Sequence, residues 1–178
     1  MRPRFALTVA ALLALALPAQ AQIDVGIGAG ASVPTGSFDD WADVGFHVTG
    51  LITTRRAPSP LGFRAEISVT RFDLAGGGDD ARMVDGTANL FLTPRGYMPT
   101  KPYFIVGVGA YNVDQPGLSI GNARINRSSS TRLGVNAGFG LDIGRGLRRM
   151  FLEARWVSVN PGEGNRITFV PVSFGVTF

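Results

Sequence analysis

Hydrophobic and polar residues alternate one by one along most of this chain. In the segment 23–33 the larger apolar side chains occupy the odd positions, and glycine, serine and aspartate fill the even ones. A period of two indicates a β-strand with one apolar and one polar face, because a helix would repeat about every 3.6 residues. The same pattern predicts eight strands, at 23–33, 44–54, 62–72, 83–92, 102–113, 131–143, 150–158 and 167–178.

The predicted strands are long, and their connections alternate in length. Each strand has roughly 9–13 residues, against about 5–6 in ordinary globular sheets, and a tilted strand needs about 9–11 residues to cross a bilayer. Longer polar loops such as Asp114 to Ser130 alternate with shorter turns such as Gly144-Arg145-Gly146. Long loops at one end and short turns at the other are typical of outer-membrane barrels. The predicted fold class is therefore all-β, an eight-stranded antiparallel up-and-down transmembrane β-barrel.

The two faces of these strands differ in polarity. We assign to the outside the face that carries large apolar residues: Phe46, Val48, Ile67, Val69, Leu90, Leu92, Phe104, Val106, Val108, Leu133, Val135, Phe139, Leu141, Leu152, Trp156, Phe174 and Val176. The inner face carries polar residues: Asp24, His47, Thr49, Arg64, Glu66, Ser68, Thr70, Asp85, Thr87, Asn89, Asn136, Asp142, Glu153, Arg155 and Ser173. A lipocalin has the inverse arrangement, with an apolar interior, so the pattern favours a membrane barrel. A secreted soluble lipocalin-like barrel is the alternative, because polar residues near strand ends would produce a similar pattern.

The first 21 residues predict an export signal. Arg2 and Arg4 precede an unbroken Ala- and Leu-rich run, and Ala19-Gln20-Ala21 fits the cleavage site of a secretory signal peptide. The apolar run is about 13 residues long, shorter than the ~20 that a membrane-spanning helix needs. We therefore expect residues 1–21 to be a cleaved signal peptide and residues 22–178 to form the barrel domain.

The composition excludes several kinds of chemistry. The 178 residues contain no Cys and one His, so a disulfide scaffold, a thiol nucleophile and a multi-histidine metal site are excluded. The formal net charge of +4 includes Arg2 and Arg4, and the small excess that remains does not indicate a nucleic-acid partner. We assign no catalytic residue, no metal ligand and no cofactor.

The last predicted strand carries the most specific pattern. Phe174, Val176 and Phe178 lie on its apolar face, and the sequence stops at Phe178. This ending resembles the sorting signal of outer-membrane barrels, and the segment 22–178 resembles the small eight-stranded barrels typified by outer membrane proteins A and X. The other segments that carry the resemblance are Gly28-Ala29-Gly30, Pro102 to Ala110, Gly134 to Gly140 and Phe151 to Trp156. The resemblance implies a cell outer-membrane location, contact with its lipids, and recognition of Phe174, Val176 and Phe178 by the barrel assembly machinery.

Four charged residues are predicted to meet inside the barrel. Arg64 and Glu66 lie near the start of the third predicted strand, and Glu153 and Arg155 near the start of the seventh. In a ring of eight these strands face each other, and the lumen is only wide enough to be filled by side chains. Buried charges require partners, so we expect ion pairs across the lumen. These pairs could form a structural plug, a gate in a narrow pore or a catalytic carboxylate site, and the plug is the preferred interpretation.

The function that the sequence favours is a structural or surface-interaction role. The barrel would anchor four exposed loops, which would contact an unknown extracellular ligand, around a charged and plugged lumen. A narrow pore for ions or small solutes is one alternative. A lipid-modifying outer-membrane enzyme is another, with His47 as its candidate base and Asp43 and Ser32 as residues that could approach it. Four aromatic residues, Trp41, Tyr103, Tyr111 and Trp156, are expected near the membrane interfaces.

Overall fold

The chain forms a closed barrel of eight antiparallel strands. The computed structural model describes residues 22–40, 42–55, 59–73, 81–94, 100–115, 119–120, 123–124, 128–144, 148–160 and 166–178. The barrel strands are β1 (Gln22–Thr35), β2 (Gly45–Arg55), β3 (Leu61–Phe72), β4 (Ala81–Leu92), β5 (Thr100–Gln115), β8 (Ser128–Ile143), β9 (Arg149–Val159) and β10 (Ile167–Thr177). A separate two-stranded hairpin, β6 (Ser119–Ile120) and β7 (Ala123–Arg124), lies between β5 and β8.

Each barrel strand pairs with the barrel strand that follows it in sequence, and β1 pairs with β10 to close the ring. At this seam Ala29 is opposite Phe174. Backbone hydrogen bonds between Val25 and Phe178, of 3.2 and 2.8 Å, extend the pairing to the last residue. The predicted fold class is thus confirmed. The strands β5 and β8 are longer than predicted, at 16 residues each.

The ends of the barrel differ, and we name them by their connections. The loop end carries the connections β1–β2, β3–β4, β5–β8 and β9–β10, and the turn end carries the other connections together with Gln22 and Phe178. In outer-membrane barrels the longer loops are extracellular and the shorter turns periplasmic. No helix among the described residues is long and apolar enough to cross a membrane.

An apolar belt surrounds the outside of the barrel. Between β3 and β4 it extends from the pair Leu61–Leu92 to the pair Val69–Val84, eight residues further along β3. At ~3.4 Å per residue this is about 27 Å along the strand, which at a tilt of ~35–45° spans roughly 20 Å of height and most of the ~25 Å apolar band of outer-membrane barrels. Its large exposed members include Phe46, Val48, Ile67, Leu90, Phe104, Val106, Val108, Leu133, Phe139, Leu152, Trp156 and Phe174. The alternation of the sequence therefore places apolar side chains toward lipid and polar ones toward the lumen.

Candidate functional site: the lumen

The middle of the lumen contains a network of four charged side chains. The guanidinium of Arg64 on β3 donates to the carboxylate of Glu153 on β9 over 2.8 Å and lies 3.5 Å from that of Glu66. Arg155 forms salt bridges with both Glu66 and Glu153. Two positive and two negative charges are thus joined across the barrel. We name these four residues the charge network.

Neutral side chains satisfy several of the remaining hydrogen-bonding groups of the charge network. The Tyr103 hydroxyl donates to Glu153 over 2.6 Å, and Arg64 Nε donates to the Thr53 hydroxyl over 3.2 Å. The Thr87 hydroxyl is 3.5 Å from Glu66. A buried ion pair contributes to stability only when its other donors and acceptors also have partners, and these contacts supply several of them.

Aromatic rings surround Arg64, which is only 2% exposed. Its guanidinium carbon lies 5.2 Å from the ring centre of Tyr103, 5.6 Å from that of Phe91 and 5.7 Å from that of Phe151. These distances allow cation–π attraction, which is strengthened by exclusion of water. The ring of Tyr103 fits because residue 140 on the neighbouring strand is a glycine, where a Cβ would overlap that ring. A glycine on β8 therefore allows a tyrosine of β5 to reach the charge network.

Two further ion pairs lie toward the turn end. Arg55 donates to Asp142 over 2.6 Å, and Arg149 is paired with Asp24. The guanidinium of Arg55 also lies 4.8 Å from the ring centre of Phe91. The turn end of the lumen is therefore occupied by charged side chains in opposite-sign pairs.

An apolar cluster occupies the lumen at the loop end. Phe72 packs edge to face against Phe38, with ring centres 5.0 Å apart, and against Phe169, at 5.5 Å. We name the whole group the apolar cap: Phe38, Ala42, Phe72, Ala81, Met83, Tyr111, Val113, Val157, Val159, Ile167 and Phe169, all buried. Phe38 belongs to a short 3-10 helix, Gly36–Phe38, whose first residue has φ of 64° and so favours glycine. This turn directs a loop residue into the barrel.

His47 lies inside the lumen between two serines. Its Nδ1 is 2.9 Å from the Ser32 hydroxyl and its Nε2 is 2.8 Å from the Ser173 hydroxyl. Ser32 is one of the two residues expected to approach His47, and it does so. Asp43, the other, is exposed on the β1–β2 connection, and its backbone N–H donates to Asp73. The arrangement holds the imidazole in place from both sides.

The interfacial position expected for two tyrosines is wrong. Tyr103 and Tyr111 point into the lumen and are almost fully buried, whereas Trp156 is outward and partly exposed. Trp41 lies outside the described residues, as does the predicted signal peptide 1–21. The reason for the error is that tyrosine fits either face of such a barrel, since its ring is apolar and its hydroxyl can donate to a buried carboxylate.

The sequence analysis also did not predict most of the apolar cap or the phenylalanine rings that surround Arg64. Four phenylalanines occupy strand positions that alternate with the lipid-facing residues: Phe72, Phe91, Phe151 and Phe169. The period-two pattern therefore does place them on the inner face. An apolar residue at an inward position of a strand was the feature of the sequence that could have predicted this.

Of the three residues in the proposed assembly signal, Phe174 and Phe178 are exposed, and Val176 between them is half-buried.

Solved structures share this fold. No protein-family model matches the chain, and no curated protein matches it. Neisserial surface protein A is 17% identical, covers 88% of this chain and 97% of its own, and has a TM-score of 0.64. A major outer membrane protein from Thermus thermophilus is 15% identical over 88% of this chain and 99% of its own, with a TM-score of 0.56. The outer membrane enzyme PagL is 15% identical, covers 87% of this chain and 98% of its own, and has a TM-score of 0.52.

At these identities the likeness concerns the fold and not the activity. The apolar belt adds an independent argument, because so large an apolar surface would cause aggregation in water and is required in lipid. With a closed eight-stranded ring, a polar interior and an apolar outer belt, the chain has the fold of the small eight-stranded outer-membrane β-barrels.

Proposed function

We propose that this protein is a non-conducting outer-membrane anchor whose role is structural or is exerted by its extracellular loops. The observation that carries the proposal is the burial of charged and aromatic side chains inside the barrel. The charge network occupies the middle of the barrel, with Arg64 2% exposed, and the apolar cap lies above it toward the loop end. A conducting pore needs a continuous path of water, and this interior opposes one in two different ways.

The two layers oppose water by different physical means. Phe72, Phe38 and Phe169 pack ring against ring, so that water entering between them would gain no hydrogen bonds. In the charge network each guanidinium is paired with a carboxylate, and opening a path would separate buried opposite charges. Between the layers lies a polar cavity of about 40 Å³, which is bounded by both.

The loops are the part of the molecule available to partners outside the cell. The described part of the loop end includes the exposed residues Asp39 and Asp40 and the small hairpin formed by β6 and β7. In rigid scaffolds binding residues are commonly carried by loops. We infer that an extracellular ligand is contacted there.

Biogenesis forms part of the same proposal. Export would use residues 1–21 as a cleaved signal, and the assembly machinery would read Phe174, Val176 and Phe178. The support is the position of these side chains on the outward face of β10, at the seam with β1. An assembly factor could contact that face before the ring closes.

Single-channel recording on the refolded protein in planar bilayers tests the anchor role. We expect no steady conductance from the unmodified barrel, because water would have to pass both the buried rings of the apolar cap and the paired charges of the charge network. A well-resolved, reproducible open level would overturn the proposal in favour of the narrow pore, for which the polar cavity would be the starting point. Migration on detergent gels before and after boiling provides the control that the protein is folded.

We infer that the protein is not a lipid-modifying enzyme. Ser32 is completely buried and is bonded to His47 inside the lumen, whereas lipid acyl chains meet the outer face of the barrel. A hydrolytic Ser–His pair would need an open site beside the hydroxyl oxygen. The likeness to the enzyme PagL concerns the fold alone.

A further inference from the structure

Among the described lumen carboxylates, one differs from the others in having no charged partner within salt-bridge distance. Asp24 is paired with Arg149 and Asp142 with Arg55, while Glu66 and Glu153 share Arg64 and Arg155. Asp85 on β4 is also buried, at 8% exposure, against 3% for Asp24 and 4% for Asp142. Within the described part of the chain it forms neither a salt bridge nor a side-chain hydrogen bond.

The groups around Asp85 do not supply the missing positive charge. In register it lies between Ser68 on β3 and Tyr111 on β5. Arg155 lines the same cavity as Asp85 but is already paired with both glutamates, and Glu66 in that lining is itself negative. Arg132, one strand beyond Tyr111, donates to Ser130 instead.

The ring nitrogens of His47, which lines the same cavity, are both engaged by serines. The described charges that face Asp85 thus leave one negative charge uncompensated.

Asp85 faces a cavity that contains a second polar group without a partner. The cavity has a volume of about 40 Å³, and its walls include Asp85, Asn136, Tyr111, Thr70 and Thr87. The amide of Asn136 is 3% exposed, and neither its oxygen nor its nitrogen completes a hydrogen bond of ordinary geometry, although Tyr111 is close to it. A single water needs ~10–15 Å³ of such space, so there is room for an ion together with water. We name this cavity the Asp85 chamber.

We propose that the Asp85 chamber binds one small monovalent cation such as Na⁺, ligated by the Asp85 carboxylate and the Asn136 carbonyl oxygen. One cation of charge +1 balances the single uncompensated carboxylate. A divalent metal is disfavoured, because no group of three or more His, Cys, Asp or Glu among the described residues could hold one. The surrounding ligands are oxygens of the kind that hard cations prefer. This proposal does not depend on whether the loops bind a partner.

A cation with its water satisfies three requirements together. Water alone would fill the chamber and bond to Asn136, but would leave the buried charge, which is costly. A proton on Asp85 would also remove the charge, and the carboxyl O–H could then donate to the amide oxygen of Asn136. Protonation is therefore the competing state, which the pH dependence of stability distinguishes from cation binding. The ion supplies the charge and ligates both oxygens, and its water can accept from the amide nitrogen.

Unfolding of the refolded barrel by urea at pH 8 tests the site, with NaCl replaced by choline chloride at constant ionic strength. If Na⁺ binds only the folded protein, each tenfold rise in Na⁺ above the dissociation constant should multiply the folded-to-unfolded ratio by about ten. Asp85→Asn should abolish this dependence. Asp24→Asn is the matched control, since it removes a lumen carboxylate that has an arginine partner and should keep the dependence.

Equal stability in Na⁺ and choline would overturn the proposal, and so would a Na⁺ dependence that persists in Asp85→Asn. A third outcome is that the stability of the unmodified protein does not depend on Na⁺ but falls as pH rises, while that of Asp85→Asn does not fall. This outcome would show that a proton, and not a cation, neutralises Asp85. If Asp85→Asn does not fold, crystals grown in RbCl decide the matter. An anomalous peak beside Asp85 supports the site, and its absence at full replacement of Na⁺ rules it out.

Discussion

Arg64 and Glu153 connect opposite walls of the barrel. Their strands, β3 and β9, are four apart in a ring of eight, and the guanidinium nitrogen lies 2.8 Å from the carboxylate oxygen. Both side chains are almost completely buried. The pair therefore ties together strands that share no backbone hydrogen bonds.

Removing either member of this pair should be costly. Glu153→Ala should lower the free energy of unfolding by about 3–5 kcal/mol, because it leaves buried guanidinium groups short of a partner. The double variant with Arg64→Ala should cost less than the two single costs added, by roughly 0.5–3 kcal/mol. Urea unfolding in lipid vesicles measures all three values.

The control for this cycle combines Glu153→Ala with Arg149→Ala. Arg149 lies on the same strand but is paired with Asp24, so these two costs should add. Additive costs in the Arg64–Glu153 cycle as well would contradict an energetic coupling across the lumen.

Gly140→Ala should displace Tyr103 from the charge network. The new methyl group would overlap the Tyr103 ring, and the 2.6 Å hydrogen bond to Glu153 would be lost. A hydrogen bond to a charged group contributes about 1.5–3 kcal/mol, so a loss of at least that size is expected. Tyr103→Phe should lose the same hydrogen bond without the steric overlap and therefore cost less than Gly140→Ala.

Gly86→Ala is the matched control for the glycine substitution. A Cβ at residue 86 would meet nothing closer than a backbone oxygen 3.9 Å away, and the residue is exposed. Its free energy of unfolding should be unchanged or slightly raised, since alanine loses less backbone entropy than glycine. Equal losses from Gly86→Ala and Gly140→Ala would mean that strand flexibility, and not the space for Tyr103, decides the effect.

The alternation of the sequence was sufficient to predict the fold class and the two faces. Period-two patterning encodes the side of a strand on which a residue lies, and residues such as Phe104 and Asn136 follow it. It does not encode how aromatic residues divide between lipid and lumen, so the interfacial position predicted for Tyr103 and Tyr111 is wrong. The position of Phe38 could not be predicted either, because it depends on a loop that turns back into the barrel.

The stagger between neighbouring strands is also beyond sequence patterning. It decides which lumen residues share a level, and hence that Asp85 lines one cavity with Asn136, Tyr111 and an arginine, Arg155, that is already paired with two glutamates. Because the predicted strand ends are uncertain, counting residues from them gives the depth of a side chain in the lumen only to within a few residues. For this reason the lack of a charged partner at Asp85 could be identified only from the three-dimensional structure of the barrel.

His47→Asn should change stability without changing envelope lipids. The imidazole bridges Ser32 and Ser173, and a shorter amide cannot reach both, so about 1–3 kcal/mol should be lost. Mass spectrometry of lipopolysaccharide from cells expressing each variant should show the same acylation pattern. An acyl change that is absent with His47→Asn and present with the unmodified protein would establish a lipid-modifying activity.

The apolar cap and the charge network should act as two barriers in series. Phe72→Ala removes the ring that contacts both Phe38 and Phe169, and should cost about 3–5 kcal/mol if the cavity does not collapse. It should not create steady conductance alone, because the charge network beneath stays paired. The combination of Phe72→Ala with Glu153→Ala and Arg64→Ala should open a water path and produce measurable current in planar bilayers. Phe104→Ala on the lipid-facing side of β5, combined with the same two charge variants, is the control for lost aromatic bulk. Conductance from Phe72→Ala by itself would show that the cap alone closes the lumen, and a non-conducting triple variant that is demonstrably folded would show that other side chains block it.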